Sequence, residues 1–521
     1  MKTTSPRAVV GALGDWWQSE GALYVKLAGA LRAAMAHGDI ATGARLPAER
    51  TLAATLKVSR TTVVAAYELL EGDGWLDRRQ GSGTWVRHPG RHEPVPYRNG
   101  RVVESMARNP LIRSALNGPG ATVDFSASRQ TSIGPLLRDL MIETAGEVGD
   151  LAGGSGYQLL GLPALRVEIA DYLSAACLLA TAPEQILVTT GSQQAIWLIG
   201  QLYAPYGESV VLESPTYSGA IDAFRVIGAR LHPLPVDTDG FRLDGLRALL
   251  ESCQPRLLLV APTCQTPTGA LMPDEQRRQL VAATDEYQVT VVEDRTMADL
   301  LLTPATAPAT ATARAPATAP ATATAPATGP APAPAQPLPL AAISATAPVI
   351  TIGSLSKLFW PGLRVGWIRA PQPIVEHLSR LKAVSDMGSS LVAEALAARL
   401  LAHADRVREL RLGEISDSLD SLTAALGRRL PEWTWRRPSG GLSFWARLPA
   451  GNATAFVQIA LLHGVTVTPG SALSVDAAND DCVRLQFVQS ADTIELGVKR
   501  LGHAWRSYAS QLSAAPGAAQ S

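Results

Sequence analysis

The sequence predicts an α/β protein of at least two domains, and three observations support this fold class. The chain has 521 residues, which exceeds the size of one ordinary domain. Helical periodicity followed by two strand-like segments occupies its first part. From about residue 123 onward, apolar strand-like runs alternate with helical stretches, a pattern typical of a mostly parallel sheet covered by helices.

The composition is that of an ordinary globular protein. Hydrophobic residues make up 46% and charged residues 18%, and the formal net charge is zero, so no global attraction to nucleic acid is expected. The four cysteines are scattered without a CxxC spacing, which favours free thiols in a reducing compartment over disulfides or a zinc site. Neither a membrane-spanning apolar run nor a signal peptide is evident, so we expect a cytoplasmic protein without a membrane partner or a metal.

The first predicted domain, residues 15–88, contains three helices and a hairpin. Leu23, Leu27 and Leu31 recur at helical spacing. Pro47 is predicted to open the second helix at its first turn, and Ser59 to cap the third. The stretch 75–86, with its central glycines, predicts two short strands around a turn.

The start of the third helix carries residue types that contact DNA. Short polar side chains and an arginine at a helix N-terminus suit the major groove, and arginines beside flexible glycines can approach phosphates. The candidate DNA-binding residues are Arg45, Arg50, Ser59, Arg60, Thr61, Thr62, Arg78 and Arg79. The alternative is a solvated helical domain with ordinary surface arginines, because a bare helix-turn-helix pattern is weakly specific.

The full wording of this segment is more specific than the pattern alone. It reads Leu-Pro-Ala-Glu-Arg-Thr-Leu-Ala at 46–53, Val-Ser-Arg-Thr-Thr-Val at 58–63 and Gly-Ser-Gly-Thr at 81–84. Together these pieces resemble the winged helix-turn-helix domain of GntR-type bacterial repressors. The resemblance implies that double-stranded DNA, in the form of promoter half-sites, is a partner.

Residues 89–122 and 303–336 are predicted to lack a core of their own. The first stretch is rich in Pro, Gly, Arg and Asn and is interpreted as a linker. The second is almost entirely Ala, Pro and Thr, and its proline density prevents a helix. It is interpreted as a disordered or polyproline-like surface insertion, and a dispensable loop is favoured over a partner-binding role.

The second predicted domain spans residues 123–515 and includes a smaller α+β portion from about 382 to 515. Its strands are predicted at 186–189, 210–213, 257–261, 289–293, 349–352, 442–448 and 482–488. Ligands of open α/β sheets bind at the carboxyl ends of the strands. The residues that follow these strands are therefore the first candidates for a site.

Lys357 is the centre of the candidate site. It follows a strand and is flanked by Ser354 and Ser356, with Arg364 downstream. A lysine in such surroundings is the sequence form of a site where pyridoxal 5'-phosphate (PLP) is held as a Schiff base. PLP chemistry needs an amine, a carboxylate at the pyridine nitrogen, a phosphate cradle and a stacking partner. Lys357 supplies the amine, and the planar donors of Arg364 can clamp a phosphate.

Residues after other predicted strands supply the rest of the phosphate cradle, the carboxylate and the stacking partner. The run Thr190–Gln194 opens a helix whose backbone N–H groups and dipole favour an anion. Asp294 ends a strand, where its carboxylate can face a pyridinium, and Tyr217 follows another strand and can stack on the ring. Each feature alone also fits a surface lysine, a turn, a helix cap or a core tyrosine. The set in this order predicts a PLP site.

Residues 123–510 resemble the fold-type I, class I aminotransferases, notably over 157–166 and at Pro267-Thr268-Gly269. The resemblance implies a PLP-dependent transferase-like fold with a large and a small domain, and it implies roles for individual residues. Lys357 would form the Schiff base and Asp294 would face the pyridine nitrogen. Phosphate would be bound by Ser192, Gln193, Ser354 and Arg364. Arg484 would bind an α-carboxylate, and Tyr157 would reach the phosphate of a neighbouring subunit in a homodimer.

Two positions depart from the aminotransferase pattern. Thr266 replaces the asparagine before Pro-Thr-Gly, and the tyrosine expected shortly after Asp294 is missing, since Arg295, Thr296 and Met297 follow it. In aminotransferases these two residues hydrogen-bond the phenolic oxygen of the cofactor. Their absence argues against efficient transamination more than against PLP binding. Gln265 is a candidate substitute.

The two parts together resemble the MocR/GabR family of PLP-dependent transcriptional regulators. This implies a head-to-tail dimer that responds to PLP or to an amino compound through an aldimine at Lys357. One alternative is an active aminotransferase with an accessory DNA-binding domain, which Thr266 and Thr296 disfavour. The other is a DNA-binding protein whose second domain is only a dimerisation scaffold, which the set Lys357, Asp294 and Arg364 disfavours.

Overall fold

The computed structural model divides the chain into two compact units, Met1–Val102 and Val103–Ser521. It describes residues 6–13, 16, 23–37, 39–40, 44–56, 58–72, 75–79, 83–86, 122–128, 130, 132–237, 240–302 and 337–514. The predicted linker up to residue 121 and the predicted insertion 303–336 lie outside these ranges. No helix within them has the length and apolar character needed to cross a membrane.

The first unit consists of helices and one hairpin. Its elements are α1 (Pro6–Leu13), α2 (Leu23–His37), α3 (Glu49–Leu56), α4 (Arg60–Gly72), β1 (Leu76–Arg79) and β2 (Gly83–Val86). The two strands pair antiparallel, as the glycine-containing turn predicts. Leu27, Leu52, Val63 and Tyr67 are fully buried where α2, α3 and α4 meet. This apolar core fixes the orientation of α4.

Three details of the first unit refine the sequence prediction. Ser59 caps α4 as predicted, because its hydroxyl accepts a hydrogen bond from the Thr62 N–H at 3.1 Å. Pro47 lies two residues before α3 and not in its first turn. Helix α1 was not predicted, yet Val9 and Leu13 join the same core, so the core extends before the predicted boundary at residue 15. An eight-residue segment shows too little periodicity to be recognised.

The second unit is built on a sheet of eight strands in the order β4-β11-β10-β9-β8-β5-β6-β7. The strands from β3 to β11 are Val123–Asp124, Ile186–Thr189, Ser209–Ser214, Arg230–Asp237, Gly240–Phe241, Leu257–Val260, Thr290–Asp294, Val349–Ser354 and Gly366–Arg369. Six strands of the sheet run in one direction, and β7 and β11 run against them. The mostly parallel sheet was predicted.

Helices cover both faces of this sheet. The helices from α5 to α16 are Gly134–Gly146, Val148–Ala152, Pro163–Ala176, Ser192–Tyr203, Ser218–Ile227, Leu246–Cys253, Asp274–Tyr287, Gln372–Asp386, Leu391–Leu401, Ala404–Arg429, Ala453–Leu462 and Ala491–Ala514. Neighbouring strand residues enter different cores: Val210 and Leu212 pack on one face, and Val211 on the other. Burial on both faces explains why the strands read as continuous apolar runs.

A second, antiparallel sheet has the order β12-β13-β16-β15. The strands from β12 to β16 are Thr434–Trp435, Ser443–Arg447, Val465–Thr466, Thr468–Pro469 and Cys482–Gln486. Strand β3 pairs parallel with β14 beside it. On α14 the core of this smaller portion includes Ile415 and Leu419, and Val123 and Phe125 from the start of the unit belong to it too. Leu396 on α13 and Val407 on α14 still belong to the core of the large sheet, and nothing in the composition of α14 marks the change.

Replacing Gly366 by alanine is expected to destabilise the second unit. The new Cβ would lie 2.7 Å from the Gly191 Cα and 2.7 Å from the Gly353 carbonyl oxygen, and backbone atoms cannot move aside cheaply. We expect a loss of about 1–3 kcal/mol in the free energy of unfolding. Denaturant unfolding followed by tryptophan fluorescence measures it.

The matched control for this variant is Gly413→Ala. Gly413 lies within α14, and apart from its chain neighbours and the backbone of its own helix no described atom lies within 4 Å of an added Cβ. Helix propensity predicts a gain of up to about 1 kcal/mol. Equal unfolding midpoints for the two variants would contradict the close packing at Gly366.

Candidate functional site

The carboxyl ends of the parallel strands bring the predicted site residues to one edge of the large sheet. Strand β9 ends at Asp294 and pairs in register with β10, so that Asp294 lies opposite Ile352. Lys357 follows the end of β10, Tyr217 follows β5, and Ser192 begins α8 directly after β4. The side chains predicted to act together therefore lie at neighbouring strand ends.

The Lys357 amine is surrounded by charged groups. Burial lowers its pKa below the ordinary value, and repulsion from Arg484 and Arg364 acts in the same direction. The carboxylate of Asp294 opposes them. A larger share of uncharged amine, which is the nucleophilic form, is the chemical result.

Helix α14 holds the loop that contains Lys357. Arg411 of α14 is buried, and its Nε and Nη2 donate hydrogen bonds of 2.9 Å to the carbonyl oxygens of Leu358 and Phe359. A third bond comes from Gln130, whose Nε2 donates to the Lys357 carbonyl oxygen at 2.6 Å. The backbone around the lysine is thus fixed by three charged or amide donors.

Asp294 is a half-buried carboxylate with few compensating donors. Burial raises its pKa, and the Thr296 N–H donates a hydrogen bond of 2.8 Å to Oδ1. The positive charge of Lys357 lowers its pKa in turn. Such a carboxylate is stabilised by a cationic group brought beside it.

An anion cradle lies at the N-terminus of α8. Gly191 precedes this helix with a φ of +117°, and a Cβ there would lie 3.2 Å from Nη2 of Arg364. Arg364 itself has a φ of +53°, in the left-handed region that residues other than glycine adopt infrequently. The Arg364 guanidinium therefore lies beside the N-terminus of α8, and a cation next to a helix N-terminus favours a phosphate or another anion.

Hydroxyl and amide side chains line this cradle. Gln193 donates from Nε2 to the Gly219 carbonyl oxygen at 2.9 Å, while its buried Oε1 has no partner among the described residues. Ser354 donates to the Val365 carbonyl oxygen at 3.4 Å and accepts from the Ser356 N–H at 3.2 Å. The buried Ser356 hydroxyl also has no partner within the described chain.

Tyr217 lies against the same space. A Cβ on Gly219 would lie 2.5 Å from the Tyr217 ring, so only glycine allows the ring to take this position. Burial raises the pKa of the Tyr217 hydroxyl, Asp294 raises it further, and Arg364 and Arg484 lower it. The ring is consequently surrounded by the charged groups of the site.

Arg484 of β16 is 3% exposed. Its Nη2 donates to the Ser126 carbonyl oxygen at 3.2 Å and to the Thr468 hydroxyl at 3.1 Å, and its Nε has no partner in the described part of the chain. Burial lowers the pKa of this guanidinium to about 10. A buried cation with a free donor is stabilised by a carboxylate ligand.

The side-chain amide of Gln265 is not available as a replacement donor to the phenolic oxygen of a cofactor. Gln265 was a candidate substitute, but its Nε2 donates to Glu213 and to the Pro215 carbonyl oxygen, at 2.9 and 2.8 Å. Its Oε1 accepts from the N–H and the hydroxyl of Thr268. The amide is therefore saturated, and the substitution by Gln265 is wrong for this structure. Burial also raises the pKa of Glu213, to about 8.

The predicted DNA-binding residues of the first unit lie on its surface where they are described. Ser59, Arg60 and Thr61 are exposed at the N-terminus of α4, and Thr62 is half-buried. The Arg60 guanidinium pairs with Glu49 at 3.4 Å, so this arginine is positioned by a carboxylate of α3.

Further predicted DNA-binding arginines of the first unit lie on α3 and at or beside the β1–β2 hairpin. Arg45 is exposed and lies 6.0 Å from the centroid of the Trp85 ring on β2, and Arg50 is exposed on α3. Arg78 and Arg79 belong to β1, but their side chains lie outside the described set. Within this unit, Arg60 thus lies on α4 and Arg45 lies beside the hairpin.

Sequence reasoning missed three contacts of the site. Ser126 and Gln130 come from the segment after the predicted linker, and Thr468 from a two-residue strand. No periodicity or motif marks them, because Ser126 acts through a backbone carbonyl group, Gln130 through its side-chain amide and Thr468 through its hydroxyl, and none of these residue types is specific to a ligand site. Tyr157 is 60% exposed, outside the cluster around Lys357.

Residues 141–501 match the protein family described as aminotransferase class I and II. The chain belongs to this aminotransferase family. Residues 23–86 match the family of bacterial regulatory proteins called gntR, a helix-turn-helix family that binds DNA. The aminotransferase-family unit is therefore joined to a GntR-family unit in one chain, as the sequence predicts.

The relatives of the chain include transcriptional regulators and an aminotransferase. A helix-turn-helix transcriptional regulator of Bacillus subtilis is 26% identical over 89% of this chain and 92% of its own length. The probable rhizopine catabolism regulatory protein MocR of Rhizobium meliloti is 27% identical over 77% of each chain. The 2-aminoadipate transaminase of Thermus thermophilus is 30% identical over 66% of this chain and 79% of its own length.

Solved structures resemble the aminotransferase-family unit. The α-aminoadipate aminotransferase of Thermus thermophilus, complexed with N-(5'-phosphopyridoxyl)-L-leucine, has a TM-score of 0.64 and 28% identity, and the match covers 79% of this chain and 98% of that one. The kynurenine aminotransferase of Pyrococcus horikoshii has a TM-score of 0.66 and 23% identity over 78% of this chain and 95% of that one, which supports the fold alone.

Arg484→Gln is expected to raise the pKa of Lys357 toward its ordinary value. Repulsion from the Arg484 guanidinium is one of the causes that lower this pKa, after burial. Glutamine keeps a donor near Ser126 and removes the charge. The pH dependence of Lys357 labelling by acetic anhydride, followed by mass spectrometry, should shift to higher pH.

The control for this experiment is Arg447→Gln. Arg447 is half exposed and pairs with Asp481 at 3.3 Å. It is not among the groups that act on Lys357, so its replacement should leave the labelling profile unchanged. A shift of equal size in both variants would contradict a direct effect of Arg484.

Proposed function

We propose that this protein is a transcriptional regulator that binds promoter DNA through its GntR-family unit and senses PLP, or an amino compound that reacts with PLP, through its aminotransferase-family unit. The observation that carries the proposal is the presence in one chain of a GntR-family helix-turn-helix and of the cluster around Lys357. The two regulator relatives match over most of the chain and support the same function.

The residues at the sheet edge fit PLP as the cofactor. The buried atoms Gln193 Oε1, Ser356 Oγ and Arg484 Nε have no partner among the described residues, and a polar molecule would satisfy such atoms. When bound, PLP supplies an aldehyde that reacts with amines and a ring that withdraws electrons. Lys357 would hold the aldehyde carbon, and Asp294 would pair with the ring nitrogen.

The other parts of the cluster suit the phosphate and the ring. Ser192, Gln193, Ser354 and Arg364 would hold the phosphate at the N-terminus of α8. Tyr217 would stack on the ring, and Arg484 would receive the carboxylate of an amino-acid effector. A neutral Lys357 amine, favoured by burial, suits the covalent attachment.

Regulation is favoured over catalysis by the surroundings of the cofactor site. Thr266 replaces one donor to the phenolic oxygen of the cofactor, the tyrosine expected after Asp294 is missing, and the Gln265 amide is saturated by other partners. An active aminotransferase is the second candidate, because the 2-aminoadipate transaminase is 30% identical. Steady turnover of an amino donor and a keto acid would favour that candidate.

A homodimer, head-to-tail as the MocR/GabR resemblance implies, belongs to the same proposal. Tyr157, Leu159 and Met387 expose 60%, 39% and 49% of their surface. They lie close together, since a Cβ on Gly388 would lie 3.2 Å from the Gln158 carbonyl oxygen. Exposed apolar side chains in one region favour a subunit interface. The exposure of Tyr157 agrees with its predicted role of reaching the phosphate of a neighbouring subunit.

The regulatory step is a shift between two conformations of the protein. A ligand changes DNA affinity only if it binds one conformation more tightly than the other. Footprinting of the purified protein on the DNA upstream of its own gene, with and without PLP, tests the proposal. We expect a protected pair of half-sites and a change of protection with PLP. No protection at low and moderate salt would overturn it.

Lys357→Ala is expected to abolish both cofactor attachment and the response to ligand. The variant lacks the amine that holds the aldehyde, so the visible absorption of the bound cofactor should disappear. DNA binding without PLP should remain, because Lys357 belongs to the other unit. Absorption spectra and footprints measure the two effects. Lys499→Ala, which removes an exposed lysine of α16, is the control and should behave as the wild type.

Arg60→Ala is expected to weaken DNA binding by about 1–3 kcal/mol. Arg60 is exposed at the N-terminus of α4, beside the capping Ser59. Arg256 is a matched control, because it is also exposed and pairs with a single carboxylate, Glu208, at 3.2 Å. A fluorescence anisotropy titration measures both. Equal losses for the two variants would contradict a specific role of α4.

A further inference from the structure

The segment that follows the predicted linker contacts both Lys357 and Arg484. We call residues 122–128 together with Gln130 the strap. Its first strand, β3, pairs with β14 of the smaller portion. Toward the N-terminus, the chain continues from the strap through the predicted linker to the GntR-family unit. Among the described residues, the strap is therefore the part of the aminotransferase-family unit that lies nearest in sequence to the predicted linker.

The strap is bound firmly to the smaller portion. The N–H groups of Val123 and Phe125 donate to the carbonyl oxygens of Gly464 and Thr466, both at 2.9 Å. The Gln486 N–H donates to the Phe125 carbonyl oxygen at 2.7 Å, and the Phe125 side chain is fully buried in the small core. These bonds anchor the first half of the strap.

The second half of the strap is tied to the ligand site itself. The Ser126 carbonyl oxygen accepts from Nη2 of Arg484 at 3.2 Å. The Gln130 amide donates to the Lys357 carbonyl oxygen at 2.6 Å. One segment thus contacts both the residue that would hold the cofactor and the residue that would hold a ligand carboxylate.

Gln489 holds the strap from outside the site. Its Nε2 donates to the carbonyl oxygens of Asp124 and Ala127, at 3.1 and 2.8 Å. The side chain of Asp124 accepts in turn from the N–H and the hydroxyl of Ser126, at 2.8 and 2.6 Å. Gln489 and Asp124 therefore set the position of the Ser126 carbonyl group.

A carboxylate at Arg484 would compete with the strap for the same donor. Nε of Arg484 is buried without a partner in the described residues, and Nη2 is the nitrogen beside it. A carboxylate binds this edge of a guanidinium through Nε and Nη2 together. Such a charge-assisted pair of bonds is stronger than the single bond to an amide carbonyl. The Ser126 carbonyl oxygen would then lose its donor.

We propose that the strap reports the occupancy of the ligand site to the linker. In this mechanism a carboxylate at Arg484 displaces the Ser126 carbonyl oxygen and loosens the strap, and Gln130 and Gln489 are positioning residues that keep it bound in the absence of ligand. This inference rests on the proposed function, since it assigns the path by which that site acts on DNA binding. A ligand without a carboxylate leaves the strap bound.

Two amine probes separate carboxylate binding from reaction with the cofactor. Aminooxyacetate and O-methylhydroxylamine both react at the aldehyde carbon of bound PLP, where the oxyamine nitrogen replaces the Lys357 nitrogen and the lysine leaves as the free amine. Only aminooxyacetate carries a carboxylate. In the PLP-loaded full-length protein, we expect aminooxyacetate to speed hydrogen exchange of the backbone amides at 123–126 by about fivefold or more, and O-methylhydroxylamine to leave it unchanged.

Gln489→Met tests the strap without altering the site. Methionine keeps the length of the side chain and removes the donor to Asp124 and Ala127. We expect fast exchange at 123–126 even without a probe, an unchanged absorption spectrum of bound PLP, and loss of the DNA response to aminooxyacetate. Gln276→Met is the matched control, since Gln276 also donates to a backbone carbonyl oxygen, that of Phe241, at 3.3 Å.

The outcomes distinguish the strap from the proposed function. Complete reaction with aminooxyacetate and unchanged exchange at 123–126 would overturn the strap mechanism while leaving the regulator intact. Equal exchange rates at 123–126 in Gln489→Met and Gln276→Met would overturn the strap mechanism as well. Absence of PLP absorption in the wild type, before any variant is compared, would overturn the proposed function and the strap mechanism with it.

Discussion

Unbalanced positive charge at one buried sheet edge is the constraint on which the site depends. Arg484 and Arg364 repel the Lys357 amine there, and the Asp294 carboxylate attracts it. Taking charges out of water is costly unless partners compensate them. Parallel strands end side by side, which brings these charged groups together despite the cost. The excess of positive charge that remains favours ligands that carry phosphate and carboxylate groups.

Much of this arrangement could be predicted from the sequence. Buried parallel strands read as apolar runs, and residues directly after them must gather at one edge, so Lys357, Asp294 and Tyr217 were predictable as a group. The winged hairpin was predictable from its glycines. These features depend on local patterns, and local patterns are what a single sequence records.

Other features could not be predicted, for identifiable reasons. Strand β6 contains Pro233 and Pro235, and prolines in a sequence argue against a strand. The strand tolerates them because, on the side away from β5, β7 pairs with its last two residues, Val236 and Asp237. The four residues of β11 are too few to show a pattern. The contacts of Ser126 and Gln130 join backbone atoms to groups more than two hundred residues away. No local rule specifies such pairs, since three-dimensional packing alone creates them.

Helix α14 has a mechanical consequence of its own. It spans 26 residues, about 39 Å at 1.5 Å per residue, and Val407 near one end packs in the core of the large sheet while Ile415 packs in the small core. Between them Arg411 grips the backbone directly after Lys357. A continuous helix resists bending. If the smaller portion tilts, α14 must therefore move with it, and Arg411 transmits that movement to the backbone after Lys357. The two cores are consequently parts of one cooperative body, whose unfolding in either half removes support from the other.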